Sequence, residues 1–182
     1  MGLATSVLVA GMWGCSGGSG SGTTGFSVAG VDFTDGGTLP LTAACVEEGG
    51  NNQIQISWSN APAGTLSYAV IVIDPSGTGE ITNAGFVHGV GFNIGANVAS
   101  TVGLSPSDIT FSPNDNSTSD YFGACPPEGE THTYEITVYA MSIADLTTVQ
   151  TNIADTAAVM SAISSNAISD DTITGQFTGV AN

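Results

Sequence analysis

A mainly β domain with an antiparallel sheet at its core, and one helix packed on that sheet near the C-terminus, is what this chain predicts. Three observations carry the expectation. From Phe26 onward, apolar and β-branched segments of strand length alternate with Gly, Pro, Asn and Asp punctuation. Within that run only the stretch 151–164 spaces its apolar residues by three and four, as a helix does. The first 25 residues read as a leader and a tether that stand outside the fold.

The leader comes first. Residues 3–13 are mostly apolar but too few to span a bilayer as a helix. Cys15 follows Met12-Trp13-Gly14, and Ser16-Gly17-Gly18-Ser19-Gly20-Ser21-Gly22 then supplies a flexible linker. This order is similar to a bacterial lipoprotein signal, in which Cys15 becomes the lipidated first residue. The absence of Lys or Arg before the apolar run and the bulk of Trp13 depart from that pattern, and an ordinary secretory leader is the alternative. The expected division is 1–25 as signal plus tether and 26–182 as the folded domain.

Strands are expected at 26–33, 53–58, 67–73, 85–94, 134–141 and 172–177, each rich in β-branched or aromatic residues. Residues 98–119 show no sustained periodicity and read as a long loop with Ser112-Pro113-Asn114-Asp115-Asn116-Ser117 at its tip. The helix places Ile153, Ala157, Met160 and Ile163 on one stripe, with Asp155 in the first turn where a negative charge suits the helix dipole. There is no internal repeat, and no transmembrane helix is expected after residue 25.

Charge sharpens the picture. The 182 residues contain 16 acidic side chains and no Lys or Arg, a formal charge of −16 with His neutral. No carboxylate has a Lys or Arg to pair with. Such a field is repelled by nucleic acid and by anionic membranes, so membrane contact is expected only through a lipid on Cys15, and self-repulsion is relieved by salt. A saline or external environment fits. With Cys15 consumed by lipid, Cys45 and Cys125 remain as an even pair in an exported chain, either a disulfide or two buried thiols.

The chain has two histidines. His88 lies in Gly85-Phe86-Val87-His88-Gly89-Val90, after the turn Asp74-Pro75-Ser76-Gly77. His132 lies in Pro126-Pro127-Glu128-Gly129-Glu130-Thr131-His132-Thr133-Tyr134, a rigid loop running into a strand. This order of Asp-Pro after a strand, His within a strand and Pro-Pro-x-Gly-x-x-His-x-Tyr before a strand resembles the phosphatidylethanolamine-binding protein family, which includes Raf kinase inhibitor-like proteins of bacterial type. The resemblance also takes in Phe33-Thr34-Asp35-Gly36-Gly37-Thr38-Leu39-Pro40, the Trp58 strand with its following loop, and Ile173-Thr174-Gly175-Gln176-Phe177, and so covers most of 26–178.

The resemblance implies the family's antiparallel sheet core and its anion pocket, formed here by Asp74, His88, His132 and Tyr134 with Phe86 as an aromatic wall. Loop amides near Gly123 and Cys125 would add donors. Imidazole N–H and phenol O–H groups suit phosphate or carboxylate, and Asp74 suits holding a His tautomer. Taken singly, Asp74 reads as a turn residue, each His as a satisfied side chain and both aromatics as core. The chain departs from the family at Ser76, Gly89, Thr133 and 51–55. Loss of a basic neighbour after His132 is expected to weaken anion affinity.

Enzymatic function is not expected. The His/Asp spacing matches no zinc signature, no Gly-x-Ser-x-Gly elbow is present, and Cys125 lacks the positive neighbours that make a thiolate. No cofactor or metal is expected. The leading expectation is an exported or lipid-tethered binding module for a small anionic ligand, in the cell envelope or outside the cell. The alternatives are a protease inhibitor, or other protein-interaction role against an extracellular partner, through 98–119, and a structural surface protein.

Overall fold

The computed structural model describes residues 25–180. The expectations for the leader, the Gly/Ser tether and lipidation of Cys15 fall on residues outside that range.

Eight strands and one helix follow in the order β1 (Ser27–Gly30), β2 (Gly37–Thr38), β3 (Ile56–Ser59), β4 (Ser67–Asp74), β5 (Phe86–Gly95), β6 (Thr110–Ser112), β7 (Thr131–Met141), α1 (Thr156–Asn166) and β8 (Ala167–Thr178). Six strands form one sheet in the order β2-β8-β7-β4-β5-β6, antiparallel except for the short β2–β8 pair, while β1 and β3 make a separate antiparallel ribbon.

β4 sits at the middle of the large sheet and is buried on both faces, which is why Ala69-Val70-Ile71-Val72-Ile73 reads as an unbroken apolar run. Its side chains alternate between two cores. Tyr68, Val70 and Val72 join Ile56, Trp58, Tyr134, Ile136 and Val138 under the β1–β3 ribbon. Ala69 and Ile71 face the other way, toward Val87, Val90, Phe92, Leu146, Val159 and Ile163. Burying the Val159 and Ile163 side chains contributes about 1.5–3 kcal/mol each and is what holds α1 on the sheet.

The helix begins later than its spacing predicts. Asp155 is its N-cap, with the carboxylate accepting from Ala158 N at 3.1 Å, so 151–155 approach the helix as a turn. The buried stripe is accordingly Val159 and Ile163, while Ala157 is exposed and Met160 only half-buried. At the other end, Ser142 donates from its backbone N–H and its hydroxyl to Asn166 O, satisfying a terminal carbonyl where no basic side chain exists.

Two further expectations are corrected. β8 begins at Ala167, well before 172: its first half alternates half-buried with exposed residues, and Ser169, Asp170 and Asp171 interrupt any apolar run there. The span 98–119 is not one free loop. It contains β6, paired with Val90–Phe92 of β5, and its presumed tip is pinned down. Asn114 is buried, and the Asp115 carboxylate accepts from the backbone N–H groups of Glu80, Ile81 and Val87. Polar residues spent on backbone groups look, in sequence, like solvated ones.

Candidate functional site

β4 ends where β5 and β7 begin, so the antiparallel register gathers their termini at one edge of the sheet. Asp74 pairs with Phe86, and Tyr134 and His132 lie two residues apart on β7, on the face that carries Tyr68, Val70 and Val72. A break in the β4–β5 register places His88 there as well. Val72 pairs with Gly89 and Ile73 with Val87, which leaves His88 as an extra residue between them. A bulge of this kind re-aims a side chain without disturbing the rest of the ladder.

The six residues nominated from sequence, Asp74, Phe86, His88, Cys125, His132 and Tyr134, line one cavity of about 120 Å³, joined by Gly77 and Phe122. Its fourth wall is the segment 121–125, drawn from the Pro-Pro loop side. Phe122 was not nominated, although it lies in the same stretch as His132. Its ring stacks on His88 at 5.8 Å, and Phe86 and Tyr134 close on the imidazole at 4.8 and 5.1 Å.

That wall is held from three sides. Cys125 is bonded to Cys45, settling the alternative the sequence leaves open in favour of the disulfide. Asn51 donates to Tyr121 O and accepts from Gly123 N at 2.6 Å, and Tyr121 O–H donates to Ala43 O. The backbones approach so closely that a Cβ on Gly123 would lie 2.4 Å from the Ala44 carbonyl carbon. The Gly123 amide, expected as a ligand donor, is therefore spent on Asn51, one of the residues read as a departure from the family pattern.

Asp74 divides its two oxygens. Oδ1 accepts from Ser76 N at 2.8 Å and closes the Asp-Pro turn, while Oδ2 meets His132 Nδ1 at 2.5 Å. Asp74 thus closes the turn and also lines the cavity. Glu130, exposed, stands 3.6 Å from His132 Nε2, too long and too solvated to bind it firmly.

His88 is nearly inaccessible, and its Nδ1 lies 2.8 Å from Phe122 O. A carbonyl oxygen only accepts, so Nδ1 carries the proton. Burial lowers the pKa of this imidazole below its ordinary 6.5, against the opposing pull of the Phe122 carbonyl and of the Asp74 charge. Tyr134 is 1% exposed, and its hydroxyl is the one buried side-chain polar atom without a hydrogen-bond partner among the described residues. Burial pushes its pKa up, as does the Asp74 charge, so the phenol stays protonated; the Cys125 amide pulls the other way without making a hydrogen bond.

Among the described residues, one cluster brings three metal-ligating side chains together: Cys45, Glu48 and Cys125. Both sulfurs are consumed by the disulfide, so no thiolate is offered to a metal.

The family profile of phosphatidylethanolamine-binding proteins matches residues 29–178. The chain belongs to the phosphatidylethanolamine-binding protein family. It is 32% identical over 122 residues to UPF0098 protein YbhB of Escherichia coli, covering 62% of this chain and 75% of YbhB. UPF0098 protein YbcL of the same organism is 37% identical over 103 residues, 52% of this chain and 55% of YbcL, so that alignment spans about half of each protein. The crystal structure of E. coli YbcL, described as a member of the mammalian PEBP family, superposes with a TM-score of 0.66 at 25% identity over 84% of this chain and 98% of that one. A phosphatidylethanolamine-binding protein homolog from Chlamydia trachomatis superposes with a TM-score of 0.67, over 84% of this chain and 97% of its own, and at 20% identity shows the shared fold. The mainly β core with its late helix is thus the phosphatidylethanolamine-binding protein fold, and membership supports a binding module in general.

Proposed function

We propose that this phosphatidylethanolamine-binding protein family member binds a small phosphate- or carboxylate-bearing ligand in the cavity between Asp74, His88, His132 and Tyr134, and that it does so as an exported or lipid-tethered module. The observation that carries the reading is the Tyr134 hydroxyl. A buried O–H without a partner costs about 1–3 kcal/mol, and such groups in native folds commonly await a ligand or water. Here it lines a cavity of about 120 Å³, room for one oxyanion or carboxylate group and not for a lipid.

The chemistry is modest in strength. No Lys or Arg exists to supply a fixed positive charge, and His132 Nδ1 is already engaged with Asp74. The ligand group is held by oriented donors in an aromatic enclosure, and the rest of the ligand lies outside it. A binding role, with no catalytic residue, fits a cavity whose cysteine is locked in a disulfide.

Export is supported by that same bond, since structural disulfides persist in oxidising compartments, and by the salt-suited charge of −16. No observation favours the protein-interaction reading through 98–119. Trp58 binds that segment through Ala99 O and Val98 O, and Thr101 is buried against Ile54 and Ile56.

The test is thermal unfolding of the protein with millimolar phosphate, acetate and phosphoethanolamine, beside the His88→Ala/His132→Ala double variant. Ligand at 100 times its dissociation constant stabilises by about 2.7 kcal/mol, a readily seen shift in Tm. The shift is expected in the parent protein and absent in the variant. No shift with any of the three ligands would overturn the reading.

A further inference from the structure

We propose that the pocket selects an oxyanion that carries its own proton, with His88 Nε2 as the acceptor that reads that proton. The inference rests on the anion-binding reading and specifies the ligand's protonation state.

It starts from hydrogen-bond bookkeeping around one ring. His88 Nδ1 is committed as a donor to Phe122 O. In a neutral imidazole the other nitrogen then presents a lone pair. Nε2 has no hydrogen-bond partner among the described residues, and His88 lines the cavity. Burial favours the neutral ring at pH 7, since it lowers the pKa from 6.5.

The charged and titratable groups that face the ring come from each element around it. Asp74 stands on β4, Tyr134 and His132 on β7, and Asp115 in the segment after β6. The walls Phe86 and Phe122 add no charge. The two carboxylates favour protonation of His88, and burial outweighs them.

Beside His132, the cavity therefore offers the ligand a donor in Tyr134 O–H and an acceptor in His88 Nε2. A fully deprotonated anion turns a lone pair toward Nε2 and leaves that nitrogen unpaired. A protonated oxyanion gives its O–H to Nε2 and accepts from Tyr134 through a second oxygen. Sites built to pair a ligand's hydroxyl reject analogues without it far more strongly than apolar pockets reject a size change.

Phosphate and sulfate isolate the proton. At about pH 8 both are tetrahedral dianions, and phosphate carries one proton where sulfate carries none, so the repulsion from the acidic chain is the same for each. Calorimetric titration is expected to show phosphate binding at least tenfold more tightly than sulfate. In His88→Phe the ratio collapses toward one, while in Tyr134→Phe both ions weaken and the ratio persists. A second readout needs no variant. In buffers of different ionisation enthalpy, sulfate is expected to bind with uptake of about one more proton than phosphate, because His88 must then supply the missing hydrogen. Equal affinities and equal proton uptake in the parent protein would overturn this inference and leave anion binding intact. Failure of both ions to bind would overturn the anion-binding reading along with it.

Discussion

Asp74 and His132, 58 residues apart in sequence, meet at 2.5 Å between Oδ2 and Nδ1 at the edge of the central sheet. The other carboxylate oxygen, Oδ1, holds the N–H of Ser76. One side chain thus ties the turn after β4 to the first residues of β7, and the two jobs can be separated by substitution.

Asp74→Ala is expected to destabilise the fold by about 1–3 kcal/mol, because it leaves the Ser76 amide and the His132 Nδ1–H without their partner. Asp74→Asn keeps an oxygen for Ser76 and is expected to cost less. Urea unfolding of the two variants decides this. Equal losses would mean that the turn bond contributes nothing of its own.

His88 gives stability a pH dependence. Its pKa in the fold is below the unfolded value of 6.5, so below pH 6.5 the unfolded chain binds more protons than the native one. This contribution is fully present above 6.5 and is lost as pH falls toward the lowered native value. The Tm of the parent protein is expected to drop between about pH 7.5 and pH 5, while the profile of His88→Phe is flatter over the same range. Asp35, Asp108 and Asp145, whose carboxyls are held below 3.8 by hydrogen bonds from Thr174, Ser105 and Thr147, act only in more acid solution.

Asp115, at the expected tip of the 98–119 loop, accepts three backbone N–H bonds at 2.7–3.0 Å. Asp115→Ala is expected to cost roughly 1.5–3 kcal/mol, the range for hydrogen bonds to a charged acceptor. Amide exchange at Val87, one residue from His88, is expected to quicken. Unchanged protection at Val87 would contradict the assigned anchor.

The Cys45–Cys125 bond closes a separation of 80 residues, for which constraint of the unfolded chain is worth about 4.5 kcal/mol. A Cys45→Ala/Cys125→Ala variant is expected to unfold at correspondingly lower denaturant. Because Cys125 lines the cavity, weaker phosphate binding is expected in the same variant at temperatures where it remains folded.

Much of this molecule is legible in the sequence, and the reason is physical. Strands such as β4 and β5 declare themselves because their side chains are buried on both faces, so local composition reports the tertiary position directly. The polar strand half in β8 and the short β6 do not, because pairing partners rather than apolar runs hold them in the sheet. Asp155 was placed in the first turn of the helix and is instead its cap, a difference of backbone conformation that spacing does not register.

The site divides in the same way. Sequence alone determined which residue types stand together: two histidines, an Asp-Pro turn, an aromatic pair and a cysteine in the order of a family, in a chain with no Lys or Arg to compete for the role. Tertiary structure decided what each atom does. The bulge that turns His88 into the cavity, the Phe122 carbonyl that fixes its tautomer, the Asn51 clamp that spends the Gly123 amide and the unpaired Tyr134 hydroxyl all depend on contacts between segments tens of residues apart. Hydrogen bonds are short and directional, so such roles come into being only when the folded chain brings donor and acceptor within about 3 Å.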